Sequence, residues 1–339
     1  MDLIYFIAGI AILIFLHELG HFIAARIFHV EVDEFGIGFP PTVLKIGTFQ
    51  GTDFTLNAIP LGGFVRIKGE NDPEVAGGLA AANPWVRLAI TAAGPLTNIL
   101  LGVLLSIILF YRLGEPIPDR VKIIGIAENS PAQLAGLQNG DVIKAVEGVD
   151  VKSVEELHDL IYQRLGQPIT ITFERQGSIS SVSLIPRNPP PENEGAIGIL
   201  MGYDTRPTVW YKAIPRGIKY TYDSIVMVLS IPKMLIRGQI SPEMARPVGY
   251  KGMYDIYRQV ENPLSFFLMI TMSLGIFNLL PIPALDGGRI FFSISEIVTR
   301  RRLPPKFENA LHTMGFIILL SILIIVNVMD FVSPLKLPY

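Results

Sequence analysis

Four long apolar segments set the pattern of hydrophobic and polar residues along this chain. They run from Leu3 to Phe28, from Leu88 to Tyr111, from Pro263 to about Leu280, and from Met314 to Val332. Each segment is long enough to cross the roughly 30 Å hydrocarbon core of a bilayer as a helix, although the third is the shortest. The pattern predicts a polytopic α-helical membrane protein with four transmembrane helices.

A different pattern follows the first segment, where short apolar runs alternate with polar residues and glycine-bearing turns. The runs are Thr42 to Ile46, Asp53 to Ile59 and Phe64 to Ile67. Alternation of this kind, broken by turn residues, is typical of hairpin strands. We expect a membrane-associated β-hairpin region on the cytoplasmic side. Its strand edge could bind an extended segment of another protein by strand pairing. A simple connecting hairpin is the alternative.

Residues 119 to about 190 lose the long apolar runs and combine short strands with short helices. The runs Val121 to Ile126, Ile169 to Arg175 and Ser181 to Ile185 indicate strands, whereas Ser130 to Leu137 and Ser153 to Leu165 indicate helices. The order of these elements and the run SPAQLAGLQNGDVI resemble a PDZ domain. The sequence therefore predicts one inserted α+β domain of the PDZ type.

The stretch from Val209 to Ile240 is only moderately apolar and mixes aromatic with basic residues. Such amphipathic segments commonly lie in the membrane interface. A buried fifth span from Ile225 to Ile236 is the competing interpretation, but Pro232 and Lys233 interrupt it. A fifth span would also reverse the direction of the apolar segment that follows.

These patterns divide the chain into consecutive regions. We expect transmembrane helices within 1–30, 85–113, 261–300 and 310–333, the hairpin region at 31–84, the PDZ domain at 119–202 and the interfacial region at 203–260. The first helix is expected to be retained, because it lacks the basic start and the small-residue cleavage site of a signal peptide.

Composition narrows the class of protein and the chemistry. Half of the residues are apolar and 17% are charged, which lies outside the range of soluble globular proteins. The chain has no cysteine, so a bound metal would depend on His, Asp or Glu. The net charge is −2 and no basic stripe points to a nucleic-acid partner.

Basic residues predict the orientation, because short loops rich in Lys and Arg stay in the cytoplasm. They cluster between the third and fourth spans (Arg289, Arg300, Arg301, Arg302, Lys306) and in or beside the first loop (Arg26, Lys45, Arg66, Lys68, Arg87). Both loops therefore belong inside. The long segment between the second and third spans, and both termini, then face outward.

The first apolar segment contains the motif His17-Glu18-Leu19-Gly20-His21. Residues four apart lie on one face of a helix, so His17 and His21 can bind one zinc ion with Glu18 beside it. Three ionisable side chains within one turn would cost several kcal/mol in lipid unless they were buried and partnered, which disfavours unrelated polar residues lining a bundle. The remaining histidines are expected to be ordinary surface or interface residues: His29, His158 and His312.

A zinc ion held by two histidines needs another protein ligand and an open position for water. The third apolar segment ends in the run from Asn278 to Arg289, where Pro281 and Pro283 break the helix before Asp286. The first and third spans run in the same direction, so Asp286 comes to the same side of the bilayer as the histidines. We expect Asp286 to be the third ligand; an ordinary turn or cap residue is the alternative.

These motifs together resemble the site-2 protease family of intramembrane zinc metalloproteases, in its bacterial branch that cleaves anti-sigma factors. The motifs are HELGH at 17–21, FGIGFP at 35–40, PLGGFVR at 60–66, GPLTN at 94–98 and the run at 278–289. The resemblance implies that His17, His21 and Asp286 bind Zn²⁺ and that Glu18 is the general base. It also implies substrate-binding positions at Asn98, Asn278, Gly62, Gly63 and Phe64. A helix-packing hydrogen bond is the alternative for the two asparagines.

The family implies an endopeptidase that cleaves transmembrane segments of single-span membrane proteins, such as anti-sigma factors or remnant signal peptides, after a first extracytoplasmic cut. It would work among membrane lipids in the inner (plasma) membrane of a bacterial cell, with its active site toward the cytoplasm. The outward PDZ domain would bind a chain end left by the earlier cut. A PDZ adaptor with a vestigial site and a zinc carrier are the alternatives, but neither needs Glu18.

Overall fold

The computed structural model describes residues 2–191, 194–238, 246–260 and 262–333. The chain divides into two compact units. The helical unit comprises the described residues of Met1–Leu109 and Ile214–Leu335, and the inserted domain comprises those of Phe110–Ala213.

Helices and strands are numbered in chain order. The helices are α1 (Asp2–Ile27), α2 (Pro84–Leu113), α3 (Pro131–Leu134), α4 (Val154–Tyr162), α5 (Trp210–Ile236), α6 (Tyr250–Gln259), α7 (Pro263–Leu279), α8 (Asp286–Thr299) and α9 (Pro305–Val332). The strands are β1 (Val32–Phe49), β2 (Thr52–Ile67), β3 (Glu115–Ile126), β4 (Val142–Val146), β5 (Val149–Asp150), β6 (Ile169–Arg175), β7 (Ser178–Leu184) and β8 (Ile199–Arg206).

Among the described residues, three helices are long and apolar enough to cross a membrane: α1, α2 and α9. The predicted third span forms α7, an apolar helix of 17 residues. Its start is set by Asn262, whose side chain accepts a hydrogen bond from the Leu264 amide, followed by Pro263 in the first turn. It ends before Pro281, because proline has no amide hydrogen to continue the helix.

Aromatic packing joins α1, α6 and α7 at one end of the helical unit. The Phe6 ring lies 5.4 Å from the ring of Tyr254, 5.6 Å from that of Tyr257 and 5.9 Å from that of Phe266. These centroid distances are within the range in which aromatic pairs attract each other beyond simple burial. The cluster fixes α7 against α1, the helix that contains the HELGH motif.

The hairpin strands are longer than predicted, because β1 continues through the FGIGFP motif instead of starting after it. The first part of β1, Val32–Ile37, pairs with both Asp53–Leu56 and Gly63–Ile67 of β2, so it lies between them. The outer part of β1, Thr42–Phe49, pairs with the start of β2. The segment Gly63–Ile67 therefore forms one edge of this small sheet.

The inserted domain is an antiparallel sheet with strand order β7-β6-β4-β3-β8 and with β5 beside β4. Side chains such as Ile123, Ile143 and Ile171 are completely buried in its core together with Leu157 of α4. Serine caps begin both helices: Ser130 accepts from the Gln133 amide, and Ser153 accepts from the Glu156 amide. The predicted strand Ile169–Arg175 is confirmed as β6.

Most of the predicted interfacial stretch forms the single helix α5, despite Pro215 and Pro232 within it. The Ser106 hydroxyl of α2 donates to the Gly217 carbonyl of α5 at 3.0 Å. A Cβ atom on Gly217 would lie 2.9 Å from the Ser106 hydroxyl oxygen, so the small residue permits this contact. Residues 239–245 of the predicted interfacial region lie outside the described residues.

Candidate metal centre

Helix α1 places His17 and His21 one turn apart, and both side chains are buried. Their Nε2 atoms are 3.3 Å from each other. Asp286, the first residue of α8, brings its Oδ2 atom to 3.1 Å from the His17 Nε2 and to 3.4 Å from the His21 Nε2. The three predicted ligands therefore converge on one point, although Asp286 is 269 residues from His17 in the chain.

The outer nitrogens of both imidazoles have partners on α2. The His21 Nδ1 lies 2.8 Å from the Ile90 carbonyl oxygen, which can only accept, so Nδ1 is the donor and Nε2 has a free lone pair. The His17 Nδ1 lies 3.1 Å from the side-chain nitrogen of Asn98. The Asn98 Oδ1 is buried without a hydrogen-bond partner in the described part of the chain.

Rotating the Asn98 amide by half a turn places its oxygen, instead of its nitrogen, beside the His17 Nδ1. The two amide atoms are assigned from hydrogen bonding, because their positions are nearly equivalent in shape. After the rotation, Oδ1 accepts the Nδ1–H of His17 and the orphaned oxygen gains a partner. Both histidines then present Nε2 to the same point, which is the usual arrangement when a second group holds a metal-binding imidazole.

The convergence fits a zinc ion. Zinc binds nitrogen and oxygen ligands at about 2.0–2.2 Å in tetrahedral geometry, which places neighbouring donor atoms about 3.3 Å apart. The donor separations at His17, His21 and Asp286 are 3.1, 3.3 and 3.4 Å. Three protein donors leave the fourth tetrahedral position for water or substrate.

Glycines let α1 and α2 approach each other at this point. A Cβ atom on Gly94 of α2 would lie 2.2 Å from the His21 Nε2, and one on Gly20 of α1 would lie 2.6 Å from the Ala93 carbonyl oxygen. Any side chain at either position would push the two helices apart. The glycines of the HELGH and GPLTN motifs therefore bring Asn98 and Ile90 within reach of the histidines.

Glu18 lies beside this point and faces a cavity of about 230 Å³. Its Oε2 accepts a hydrogen bond from the Val65 backbone amide at 3.1 Å. Residues from α1, β2, α2, the start of α8 and the loops after β2 and before α8 line the cavity: His17, Glu18, His21, Phe64, Val65, Ile67, Glu70, Leu79, Ile90, Thr91, Ala284, Leu285, Asp286 and Arg289. The Glu18 carboxylate, the three predicted metal ligands and a strand edge thus share one chamber.

Comparison with known proteins identifies the family. The family model "Peptidase family M50" matches residues 5–322. The chain belongs to peptidase family M50. This family comprises the site-2 proteases, so the predicted resemblance is confirmed.

Individual relatives agree with the family assignment of this M50 peptidase. A Clostridium acetobutylicum protein, provisionally named a zinc metalloprotease, is 31% identical over 99% of this chain and 98% of its own. The zinc metalloprotease RasP of Oceanobacillus iheyensis is 27% identical over 95% of this chain and 96% of its own. The chain is accordingly a zinc metalloprotease, and its cofactor is Zn²⁺.

A comparison with solved structures aligns the PDZ domain of an SdrC-like protein from Listeria monocytogenes with part of the M50 peptidase. The alignment covers 25% of this chain and 90% of that domain, at 22% identity and a TM-score of 0.22.

The other predicted site residues of the M50 peptidase take different positions. Phe64 lines the cavity, and a Cβ atom on Gly63 would lie 3.7 Å from the Glu18 side chain. Gly62 has a φ of +146° and packs against the Phe39 ring. Asn98 lies behind His17, and Asn278, in the last turn of α7, is not among the described residues that line the cavity.

An ion pair lies at one side of the same cavity. The Arg289 guanidinium donates to the Glu70 carboxylate at 2.5 Å, and both residues line the chamber. Arg289 also donates to the Asn71 side chain at 3.2 Å. The loop after β2 is thereby attached to α8, three residues beyond Asp286.

Proposed function

We propose that this M50 peptidase hydrolyses a peptide bond within, or at the cytoplasmic edge of, a transmembrane segment of a single-span membrane protein. The observation that carries the proposal is the triangle of His17, His21 and Asp286 donor atoms, two of which belong to the apolar helix α1 and all of which face a shared chamber. Ionisable groups at such a depth mark a functional site.

In the proposed mechanism, His17, His21 and Asp286 hold the zinc ion, with their donor atoms at 3.1–3.4 Å from one another. Zinc, when bound, supplies Lewis-acid polarisation of the scissile carbonyl and activation of a water for attack. Glu18 accepts the proton of the attacking water and passes it to the leaving nitrogen as the amide bond breaks. The Val65 amide orients the Glu18 carboxylate toward the chamber.

The edge of the hairpin sheet supplies a place for the substrate. A helical substrate keeps its carbonyl groups in hydrogen bonds, so it must unwind before hydrolysis. Gly63–Ile67 lies at the sheet edge, and Phe64, Val65 and Ile67 line the chamber. An extended substrate strand can pair with such an edge. We therefore assign substrate presentation to Gly62, Gly63 and Phe64, with Val65 beside them.

We further propose four crossings, with α7 as the third span and both termini outside, in the inner (plasma) membrane of a bacterial cell. A helix of 17 residues is about 26 Å long, which nearly matches the roughly 30 Å hydrocarbon core. The apolar hairpin tip and α5 would lie in the membrane interface. Basic loops on the cytoplasmic side support this orientation.

The inserted domain would act as an outward PDZ domain that binds a chain end left by an earlier cut. A groove runs between α4 and the edge strand β8, lined by residues including Ile161, Tyr162 and Ile199. In the loop before β8, the carbonyls of Ala196, Ile197 and Gly198 accept hydrogen bonds from the Arg187, Ala132 and Ala127 amides. Those carbonyls are thereby turned away from an incoming carboxylate, as PDZ-type capture of a chain end requires.

Reconstitution tests the proposed activity. The purified chain is placed in liposomes with zinc and a tagged single-span substrate, and it is compared with Glu18→Gln, which keeps the shape and the metal-binding groups but removes the base. We expect cleavage only by the unmodified chain, and loss of cleavage when a chelator is added. A drop in rate of about 10²-fold or more is the order expected for removal of a general base.

Two outcomes would count against the proposal. If both proteins bind zinc and neither cuts a substrate already truncated on its outer side, the PDZ adaptor gains support. If zinc crosses the liposome membrane at equal rates with both proteins, the zinc carrier gains support. Direct binding of zinc is measured in the same preparations, so an inactive but loaded protein is distinguishable from an empty one.

A further inference from the structure

The loop that presents Asp286 has a backbone conformation that a residue with a Cβ atom rarely adopts. It connects α7 to α8 and contains Pro281 and Pro283. The residue after the second proline, Ala284, has a φ of +77°. Left-handed backbone of this kind is unfavourable for alanine, so neighbouring contacts must hold it. Ala284 also lines the catalytic chamber, two residues before Asp286.

Helix α9 supplies that contact through His312. The Ala284 amide donates a hydrogen bond to the His312 Nδ1 at 3.0 Å. An amide can only donate, so Nδ1 accepts and the imidazole hydrogen is on Nε2. One turn further along α9, a Cβ atom on Gly315 would lie 2.6 Å from the Pro283 carbonyl oxygen, which shows how closely α9 packs on the loop.

The same histidine also bounds the first turn of α8. A Cβ atom on Gly288 would lie 3.2 Å from the His312 Cε1, and the His312 ring lies 5.7 Å from the Phe292 ring. The imidazole therefore contacts the chain both before and after Asp286. It is itself half-buried, on a helix whose other residues face mostly outward.

We propose that His312 is a positioning residue of the zinc site, which holds Ala284 in its left-handed conformation and thereby directs the Asp286 carboxylate toward His17 and His21. The inference rests on the proposed metal centre and adds to it a residue outside the HELGH and GPLTN motifs and outside the run at 278–289. Its chemical requirement is a hydrogen-bond acceptor at the position of the imidazole Nδ1. A histidine ring as such is not required.

Zinc affinity tests this assignment without any assay of cleavage. The dissociation constant is measured by competition with a chromophoric chelator for the full-length protein in detergent. We expect His312→Leu to bind zinc about tenfold more weakly, which lies at the lower end of the range for groups that orient metal ligands. Thr313→Leu, an exposed neighbour on the same helix, is the control and should leave the affinity unchanged.

Conservative variants separate positioning from general packing. The Asn Oδ1 lies the same number of bonds from the backbone as the His Nδ1, whereas the Gln Oε1 lies one bond further out. We expect His312→Asn to bind zinc within about threefold of the unmodified protein and His312→Gln to resemble His312→Leu. The absorption spectrum of the cobalt-substituted protein should change with Leu and Gln and stay the same with Asn, because it reports ligand geometry.

A double-mutant cycle with Ala284→Gly completes the test. Glycine adopts positive φ at no steric cost, so the loop should then need His312 less. We expect the loss caused by His312→Leu to shrink to about threefold or less in the Ala284→Gly background. Equal losses in both backgrounds, or equal affinities for His312→Leu and the unmodified protein, would overturn the inference. If the unmodified protein itself binds no zinc, the proposed metal centre fails instead.

Discussion

Asn98 contacts the Nδ1 of His17, and the Ile90 carbonyl contacts the Nδ1 of His21. Only the Asn98 side chain can be removed by mutation. The His17 Nδ1 lies 3.1 Å from the Asn98 side chain, which is completely buried. We expect Asn98→Leu to weaken zinc binding about 10–100-fold, because the His17 imidazole loses its acceptor and can turn. Equilibrium dialysis of the purified variant against buffered zinc measures this loss.

Two further variants help to interpret that result. Asn98→Asp keeps an acceptor for the Nδ1–H of His17, so its zinc affinity should lie closer to the unmodified protein than that of Asn98→Leu. Ser106→Ala removes another buried polar group of α2, which bonds to the Gly217 carbonyl, and should leave zinc affinity unchanged. Equal loss in Asn98→Asp and Asn98→Leu would show that His17 does not need an acceptor there.

At the residue scale, the sequence predicts Glu18 and the candidate metal ligands better than it predicts the residues that hold them in place. The HELGH spacing on a helix and a carboxylate after the third apolar segment are enough to predict His17, Glu18, His21 and Asp286 as one cluster, and the structure brings them together. The supporting contacts span 69 and 81 residues for the histidines and 28 for His312. No local pattern encodes such pairs, so the expectation of an ordinary position for His312 misses its contact with the Asp286 loop.

Among the elements, the hairpin exposes a run of apolar side chains at its outer end. Val43, Leu44, Ile46 and Phe49 are 56–67% exposed, an unusual state for large apolar residues that lie close together. We expect this end to enter the lipid. A nitroxide on Leu44→Cys should collide more often with oxygen, which is soluble in lipid, than with a water-soluble nickel complex.

The chain's lack of cysteine makes this measurement specific, since a single introduced cysteine carries the only label. Glu74→Cys, an exposed position in the loop after β2, is the control and should show the reverse preference. If the label at residue 44 also prefers the nickel complex in liposomes, the hairpin lies in water. A role as a cytoplasmic surface would then replace membrane association.

A ladder of charges crosses four strands of the inserted domain. Glu174 on β6 pairs with Lys144 at 2.8 Å and with Arg120 at 3.1 Å, and Arg120 also reaches Asp204 on β8 at 3.0 Å. Hydrogen bonds from Lys144 and Arg120 hold the pKa of Glu174 below its usual value. Burial acts to raise the pKa of Asp204, but the bond from Arg120 helps to outweigh it, so this pKa is lowered as well.

The lowered pKa values of Glu174 and Asp204 predict that acid destabilises the inserted domain. The unfolded chain binds these protons more readily than the folded domain, so the stabilisation is present above about pH 4 and is lost as the pH falls below it. Hydrogen exchange of β6 and β8 in the full-length protein, corrected for its intrinsic pH dependence, measures the change. Glu174→Gln should flatten the pH profile, whereas Glu128→Gln, at an exposed position, should not.

Element boundaries are predictable where one hydrophobic period runs through the whole segment. They are much less predictable where glycine or proline interrupts it. The alternating run Ile169–Arg175 forms β6 at the predicted bounds. Glycine and proline at positions 36, 38, 40 and 41 disfavour a continuous strand, but β1 passes through all four. Pro40 and Pro41 lie between the paired residues Phe39 and Thr42, where a missing amide costs little. Helix α5 likewise continues past Pro215 and Pro232.

For the whole molecule, contacts between distant loops constrain the number of membrane crossings. The Asn309 side chain, near the start of α9, donates to the Asn71 carbonyl at 3.3 Å, and Arg302 donates to the Ala80 carbonyl. The loop after β2 and the segment before α9 therefore lie on the same side. An even number of spans must separate them. If α2 crosses the membrane, as proposed, one of α5 and α7 crosses it as well.

The composition of these two helices favours α7. Helix α7 contains no charged residue, whereas α5 contains Lys212, Arg216, Lys219, Asp223 and Lys233. Burying five charges in lipid would cost several kcal/mol for each unpaired group. The choice of α7 also agrees with the orientation expected from Lys and Arg, because it keeps both basic loops on one side of the membrane.

Labelling of single cysteines from one side of the membrane tests this arrangement. Ser178→Cys lies at the exposed start of β7, and Leu303→Cys lies between α8 and α9 without removing any basic residue. In bacterial cells whose outer surface is accessible, a membrane-impermeant maleimide should label residue 178 at once and residue 303 only after the membrane is opened. A crossing by α5 instead of α7 would give the same labelling at residues 178 and 303, because either helix adds one crossing after α2. A third label at Asn262→Cys, just before α7, therefore distinguishes the two helices. Labelling from outside assigns the crossing to α7, whereas protection at residue 262 assigns it to α5 and contradicts the proposal that α7 is the third span.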